Sequence, residues 1–310
     1  MSATSSIALN HNPDIEALLS KRPTHPDAAI ARLRHLILTN GIPANNDGLS
    51  NLRPYIWCIL LDVKPISTST YLSYIHRGPS PAYSKIRNDT FRTLATDPLF
   101  RRRVSESSLI RLLNAFAWKL REKEMPVPYV QGMNVLAAPF LYAAKSETLS
   151  FALFETFIQR ECPLYVKPTL EGVHRGLKLV DECLQAVDSK LYSHLRSRNL
   201  AAELYAFPSV LTFSACTPPL PQVLDLWDFL LAYGPHLNIL CVVAQLLLMR
   251  DDLLAHSSPM KILRTFPPLK SKTVIGVAVS LVRKIPDDLY NLLARHAWDE
   301  SVGDAIDNAR

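Results

Sequence analysis

Apolar residues recur three and four positions apart along most of this chain, and strict apolar–polar alternation is almost absent. That period matches the turn of an α-helix and not the two-residue repeat of a strand, so the chain reads as all-α. From Asp27, the positions Ile30, Leu33, Leu36 and Ile37 form one face of a helix closed by Asn40 and Gly41. Ser105 is placed to cap a longer helix through Leu109, Leu112, Leu113, Phe116 and Leu120. Helical spacing continues over 135–144, 149–158, 177–195, 200–211, 223–231, 237–254, 273–282 and 289–298, with a short turn at 261–263. Only 274–282 is rich in β-branched residues, and that run fits a helix or a strand. Many of the 23 prolines fall between apolar segments, where they punctuate helices. No self-similarity appears at a period of roughly 34 to 47 residues, which disfavours a helical-repeat scaffold.

The length, 310 residues, allows one large core or two medium subdomains. A formal net charge of +6 suits nucleic acid, an anionic membrane or an acidic protein equally well. The basic residues are dispersed, however, apart from Arg101, Arg102 and Arg103, a run short enough to be a solvated face. The expectation is a protein partner, no nucleic acid and no integral membrane segment. Five cysteines stand far apart without a CxxC pair, so neither a zinc site nor a disulfide framework is expected, and a reducing compartment, cytoplasmic or nuclear, is. Residues 1–26 read as a polar flexible tail broken by one apolar patch, Ile15, Leu18 and Leu19, and carry no secretory signal. Residues 27–48 read as a helix and loop leading into the main domain.

The chain contains no GxxxxGK phosphate loop, no HExxH, no GxSxG and no dinucleotide-type glycine fingerprint. Its nine histidines lie singly. We therefore expect no metal, no cofactor and no nucleotide site of its own. Three polar segments stand out. In RPYIWCILL, Pro54 suits a first helical turn, Trp57 is a candidate for burial, and Arg53 can satisfy carbonyls or a carboxylate. In KIRNDTFRTL, Ile86, Asp89 and Arg92 are spaced three apart, so on a helix Ile86 packs inward and Asp89 can pair with Arg92. In PYVQGMN, Gln131 is held between a proline-stiffened loop and an apolar helix, and Gly132 permits close approach of another backbone. Taken singly, each segment also fits an ordinary structural role: a packed helix start, a surface ion pair and a generic loop.

In order and spacing, R-P-x-x-W, I-x-x-D-x-x-R-T and Y-x-Q-G-M-N resemble the three signature motifs of the TBC domain, the Rab-type GTPase-activating fold. The resemblance continues through LYAFPSVLTFSACTPPLPQVLDLWDFLLAYG, which includes Trp227 and Asp228, and covers roughly residues 49–255. Residues 256–310 read as C-terminal helices packed on that domain. Pro128 departs from the pattern, where the family more usually has glycine. The resemblance implies a V-shaped pair of helical subdomains with a GTP-bound, Ras- or Rab-like GTPase docking in the groove. It implies that Arg92 is the arginine finger and Gln131 the glutamine finger. Arg53, Trp57, Ile86, Asp89, Tyr129 and Gly132 match positions that shape and brace the two.

The chemistry suits that division of labour. GTP hydrolysis needs a water held in line with the γ-phosphate and positive charge where negative charge shifts in the transition state. A guanidinium supplies a permanently charged planar donor fork, and a carboxamide can accept from water while donating to phosphate. IRNDTFRTL followed by YVQGMNVLAAPFLY also looks like the fungal mitotic checkpoint members of the family. That narrower resemblance implies control of mitotic exit or septation, a separate scaffold subunit and a spindle pole body location. The alternatives are a non-catalytic TBC-like binding module or scaffold, or a Rab GAP in vesicle traffic.

Overall fold

A computed structural model describes residues 13–122 and 129–308, and among these no strand occurs. The N-terminal helices are α1 (Pro13–Leu19), α2 (Pro26–Asn40) and α3 (Arg53–Leu60). A first group follows: α4 (Thr68–Ile75), α5 (Tyr83–Thr90), α6 (Pro98–Arg103), α7 (Glu106–Glu122), α8 (Met133–Ala143) and α9 (Glu147–Thr156). The second group begins with α10 (Glu171–Val187), α11 (Ser189–Arg196), α12 (Ala202–Tyr205) and α13 (Phe207–Leu211). Next come α14 (Leu220–Tyr233), α15 (Asn238–Leu248), α16 (Arg250–Ala255), α17 (Met260–Leu263), α18 (Ser271–Val282), α19 (Asp287–Arg295) and α20 (Gly303–Asn308).

The two groups are the expected pair of helical subdomains. In the first, α7 packs against α4, α5, α8 and α9; in the second, α10 packs against α11, α12, α13 and α15. Helix α14 links them, touching α2, α3 and α8 on one side and α18 on the other. A chain of buried aromatic rings crosses the junction. Phe116 meets Phe154 at 5.0 Å, Phe140 meets Trp227 at 5.3 Å, Trp227 meets Phe157 at 5.4 Å, and Phe213 stacks on Tyr165 at 4.7 Å. Interlocked rings of this kind resist sliding, because any shift of one side opens voids at several edge-to-face contacts.

Helix ends follow their cap residues. Gly41 closes α2 with a positive φ of 74°, and Ser105 accepts the Ser108 amide at 3.1 Å at the start of α7. Several details differ from the sequence reading. The segment 177–195 is two helices, because Asp188 leaves helical geometry and its carboxylate caps α11 at the Leu191 amide, 2.9 Å away. The β-branched run 274–282 is helical, since Val274, Ala278 and Leu281 fall on one face and pack towards α15 and α14. Helix α4 had no clear signal, yet Ser67 caps it and Tyr71 and Tyr74 bury its inner face.

The first residues also differ from expectation. Within the presumed flexible tail, 13–19 is helix α1, and Ile15 is fully buried against α2 beside Leu33, Leu36 and Ile37. The apolar patch is therefore largely consumed inside the chain; residues 1–12 lie outside the described residues. The basic run sits on α6, where Arg102 pairs with Asp47 at 2.6 Å and Arg103 donates to the Tyr142 carbonyl at 2.7 Å. No helix among the described residues is long and apolar enough to cross a membrane.

Candidate functional site

Arg53 opens α3 and is fully buried, which is tolerable only because every part of its guanidinium is engaged. Nε and Nη2 donate to the two oxygens of Asp228 on α14, at 2.9 and 2.8 Å. Nη2 also reaches Asp225 at 2.9 Å, and Nη1 donates to the Gly48 carbonyl. One turn on, Trp57 adds its indole N–H to Asp228 at 2.8 Å. Two carboxylates thus share one guanidinium. Burial and the neighbouring Asp228 push the Asp225 carboxyl up to about 6, against the pull of Arg53. This cluster locks α3 onto α14, and neither Arg53 nor Trp57 lines the cleft described next.

The second and third motifs meet. Helix α5 buries Ile86 completely and ends at Thr90, so Arg92 lies in the turn 91–96 and not on the helix itself. The expected pair still forms: Arg92 Nη2 donates to Asp89 Oδ1 at 2.5 Å, and the arginine side chain remains 60% exposed. Tyr129 donates its hydroxyl to the other oxygen of Asp89 at 2.8 Å. Burial, and then that bond to Asp89, raise the Tyr129 phenol well above its ordinary range, so it stays protonated and remains a donor.

Asn134, at the start of α8, ties the remaining strands of this knot. Its Oδ1 accepts the Gly132 amide at 3.1 Å, and its Nδ2 donates to Thr93 Oγ1 at 2.8 Å. The Thr93 hydroxyl in turn donates to the Asp89 carbonyl at 2.9 Å. Both residues are buried, and both fall inside the quoted motifs, yet neither has a role legible from the motifs alone. Amide and hydroxyl partners forty residues apart leave no periodic trace, so only the motif spelling hinted at them.

Gly132 has a φ of +107°, open to glycine and strained for other residues. A Cβ here would meet the Leu211 side chain of α13 at 3.0 Å. The close approach is thus to a side chain and not, as expected, to another backbone. Gln131 precedes it on the same turn and is exposed. Among the described residues its carboxamide has no hydrogen-bond partner, which leaves both of its ends available. Pro128, the departure from the motif, lies outside the described residues. A cleft of about 580 Å³ opens here, lined by Lys85, Asn88, Asp89, Tyr129, Val130, Gln131, Pro168 and Leu170. It brings α5 and the turn before α8 together with the approach to α10, one wall from each subdomain.

Comparison with known families places residues 50–254 on the Rab-GTPase-TBC domain. The chain belongs to that family. Among relatives of this TBC protein, the Cell division control protein 16 of Schizosaccharomyces pombe is 50% identical, with 94% of this chain and 96% of that protein covered. The Mitotic check point protein BUB2 of Saccharomyces cerevisiae is 42% identical over 93% of this chain and 98% of its own length. Among solved structures, the Ypt/Rab-GAP domain of Gyp1p superposes with a TM-score of 0.71 at 18% identity, covering 87% of this chain and 96% of that one. That likeness shows a shared TBC fold.

Proposed function

We propose that this TBC protein is a GTPase-activating protein that receives a GTP-bound, Ras- or Rab-like GTPase at the cleft between its subdomains. Arg92 is its arginine finger and Gln131 its water-orienting glutamine. The observation that carries this reading is the shared anchor: Asp89 holds Arg92 by one oxygen and, through Tyr129 on the other, the segment that carries Gln131. Arg92 and Gln131 are both exposed while everything beneath them is buried, which is preorganised chemistry offered to a partner. Residues 49–255 form the activating domain in this reading, and the helices of 256–310 complete its second arm. Two relatives, one named for cell division control and one for the mitotic check point, support a role in restraining mitotic exit or septation; a scaffold subunit and a spindle pole body location belong to the same proposal.

Single-turnover GTP hydrolysis with a panel of small GTPases tests it. Stimulation by the wild-type chain should drop roughly 10³- to 10⁵-fold in Arg92→Ala, the range typical of arginine fingers. Gln131→Ala should hurt more than replacing the GTPase's own switch glutamine. Full stimulation by Arg92→Ala at saturation removes it as the finger.

A further inference from the structure

The turn that carries Arg92 also carries the most exposed large apolar side chain among the described residues. Phe91 is 78% exposed, and the next, Leu204, reaches 58%. A lone apolar residue on a surface is ordinary and signals nothing by itself. Phe91 differs in how its turn is built. Thr90 and Thr93 on either side are buried, and Thr93 is tied to both the Asp89 carbonyl and Asn134. Leu94 packs against the core with a φ of +45°, a left-handed conformation that a leucine keeps only where its surroundings enforce it. The turn therefore half-buries the smaller leucine at the expense of backbone strain and leaves the larger phenylalanine in water. Its orientation is fixed by the same knot that fixes Arg92.

Consecutive Cα atoms lie about 3.8 Å apart, so a partner close enough to receive the Arg92 guanidinium is also within a side chain's length of residue 91. We propose that Phe91 is the anchor by which the GTPase is gripped: its ring enters an apolar recess on the GTPase surface beside the nucleotide edge. Phe91 thereby sets affinity and partner choice, while Arg92 acts on the phosphate. This inference rests on the reading of Arg92 as the finger. An aromatic ring held beside a functional arginine has the make-up of an interface hot spot. Burying a whole phenylalanine ring corresponds to about a tenfold to a hundredfold change in affinity.

The test is steady-state stimulation kinetics, with whichever GTPase of a purified panel the wild-type chain stimulates, on Phe91→Ala, Phe91→Leu and Arg92→Ala. Phe91→Ala should raise KM about tenfold to a hundredfold and keep kcat within about twofold. Phe91→Leu should recover part of the loss, and Arg92→Ala should lose kcat. Thermal unfolding of Phe91→Ala should match the wild type, because the ring touches little in the free chain. An unchanged KM overturns the anchor role, and so does a kcat loss without a KM change, which would mean that Phe91 only shapes the turn. If the wild-type chain stimulates no GTPase in the panel, the Arg92 reading falls and this inference falls with it.

Discussion

Tyr129 donates its hydroxyl to Asp89 Oδ2 at 2.8 Å while Arg92 occupies Oδ1 of the same carboxylate at 2.5 Å. Residues forty positions apart are thus linked through one side chain, and the two proposed fingers cannot move independently. In the free chain Asp89 parks the guanidinium. When a more negative phosphate arrives, a charge already oriented has little left to reorganise, which is the physical content of preorganisation.

Tyr129→Phe should expose how much that link matters. The variant removes the donor but keeps the ring, leaving a mostly buried carboxylate oxygen short of a partner at a cost of about 1 to 3 kcal/mol. Urea unfolding should show that loss. Stimulated kcat should fall about tenfold to a hundredfold through misplacement of Arg92 and Gln131, with KM little changed. A variant with normal kcat and lowered stability would make Tyr129 a packing residue alone.

Much of this architecture was legible in the sequence, and the exceptions have physical causes. Helices such as α2 and α7 declared themselves because caps and apolar faces agree. The break at Asp188 was hidden because the apolar spacing runs straight across it, and only the carboxylate's preference for capping interrupts the helix. Arg53 and Trp57 could be read as structural, but their target could not: Asp228 lies 175 positions from Arg53, and charge pairing over that separation has no pattern to find. Motif spelling placed Arg92 and Gln131. It was silent on Asn134 and Thr93, whose bonds join the two motifs.

Gly132→Ala should be costly out of proportion to one methyl group. The backbone is at a φ of +107° and the new Cβ would press on Leu211 at 3.0 Å, so both conformation and space oppose it. We expect roughly 1 to 3 kcal/mol of lost stability from strain and a displaced Gln131, read as lower kcat. Adding Leu211→Ala clears the space but not the dihedral, so a double-mutant cycle should show partial rescue of Gly132→Ala. Complete rescue would mean that the positive φ carries no penalty here.

The second subdomain carries a pH-sensitive element of stability. His296 is fully buried, donates from Nδ1 to the Leu293 carbonyl at 2.7 Å and sits 2.8 Å from the Tyr165 hydroxyl at Nε2. That arrangement suits a neutral imidazole, with Nε2 accepting from the tyrosine. Burial, aided by Arg175, lowers its pKa from 6.5 to about 4. The unfolded chain therefore binds the proton first, so the contribution is whole above about pH 6.5 and is lost as pH falls towards 4. At pH 5 the loss amounts to about 2 kcal/mol. His296→Gln should flatten the difference in urea stability between pH 7 and pH 5 by about that amount. Some slope should persist, since burial also lowers His236 to about 4. A variant as acid-sensitive as the wild type would place the titration elsewhere.

The checkpoint role makes a prediction that depends on how the exposed surfaces are used. Ile15 packs inside the chain, and Arg102 and Arg103, though exposed, are engaged by Asp47 and the Tyr142 carbonyl, so neither the apolar patch of the tail nor the basic run offers a large apolar docking face. A scaffold subunit would then have to be recognised elsewhere, and recruitment and catalysis should separate genetically. Loss of the gene should let cells leave mitosis although their microtubules are depolymerised. An Arg92→Ala allele should behave like the deletion while its product still reaches the spindle pole, because the substitution removes charge from an exposed side chain and opens no cavity beneath it. The measurement is time to mitotic exit under a microtubule poison, with the tagged variant imaged in the same cells. Normal arrest in the deletion strain, accompanied by a defect in vesicle traffic, would assign the protein to Rab-directed transport. An Arg92→Ala allele that still arrests would show that the checkpoint needs binding and not accelerated hydrolysis.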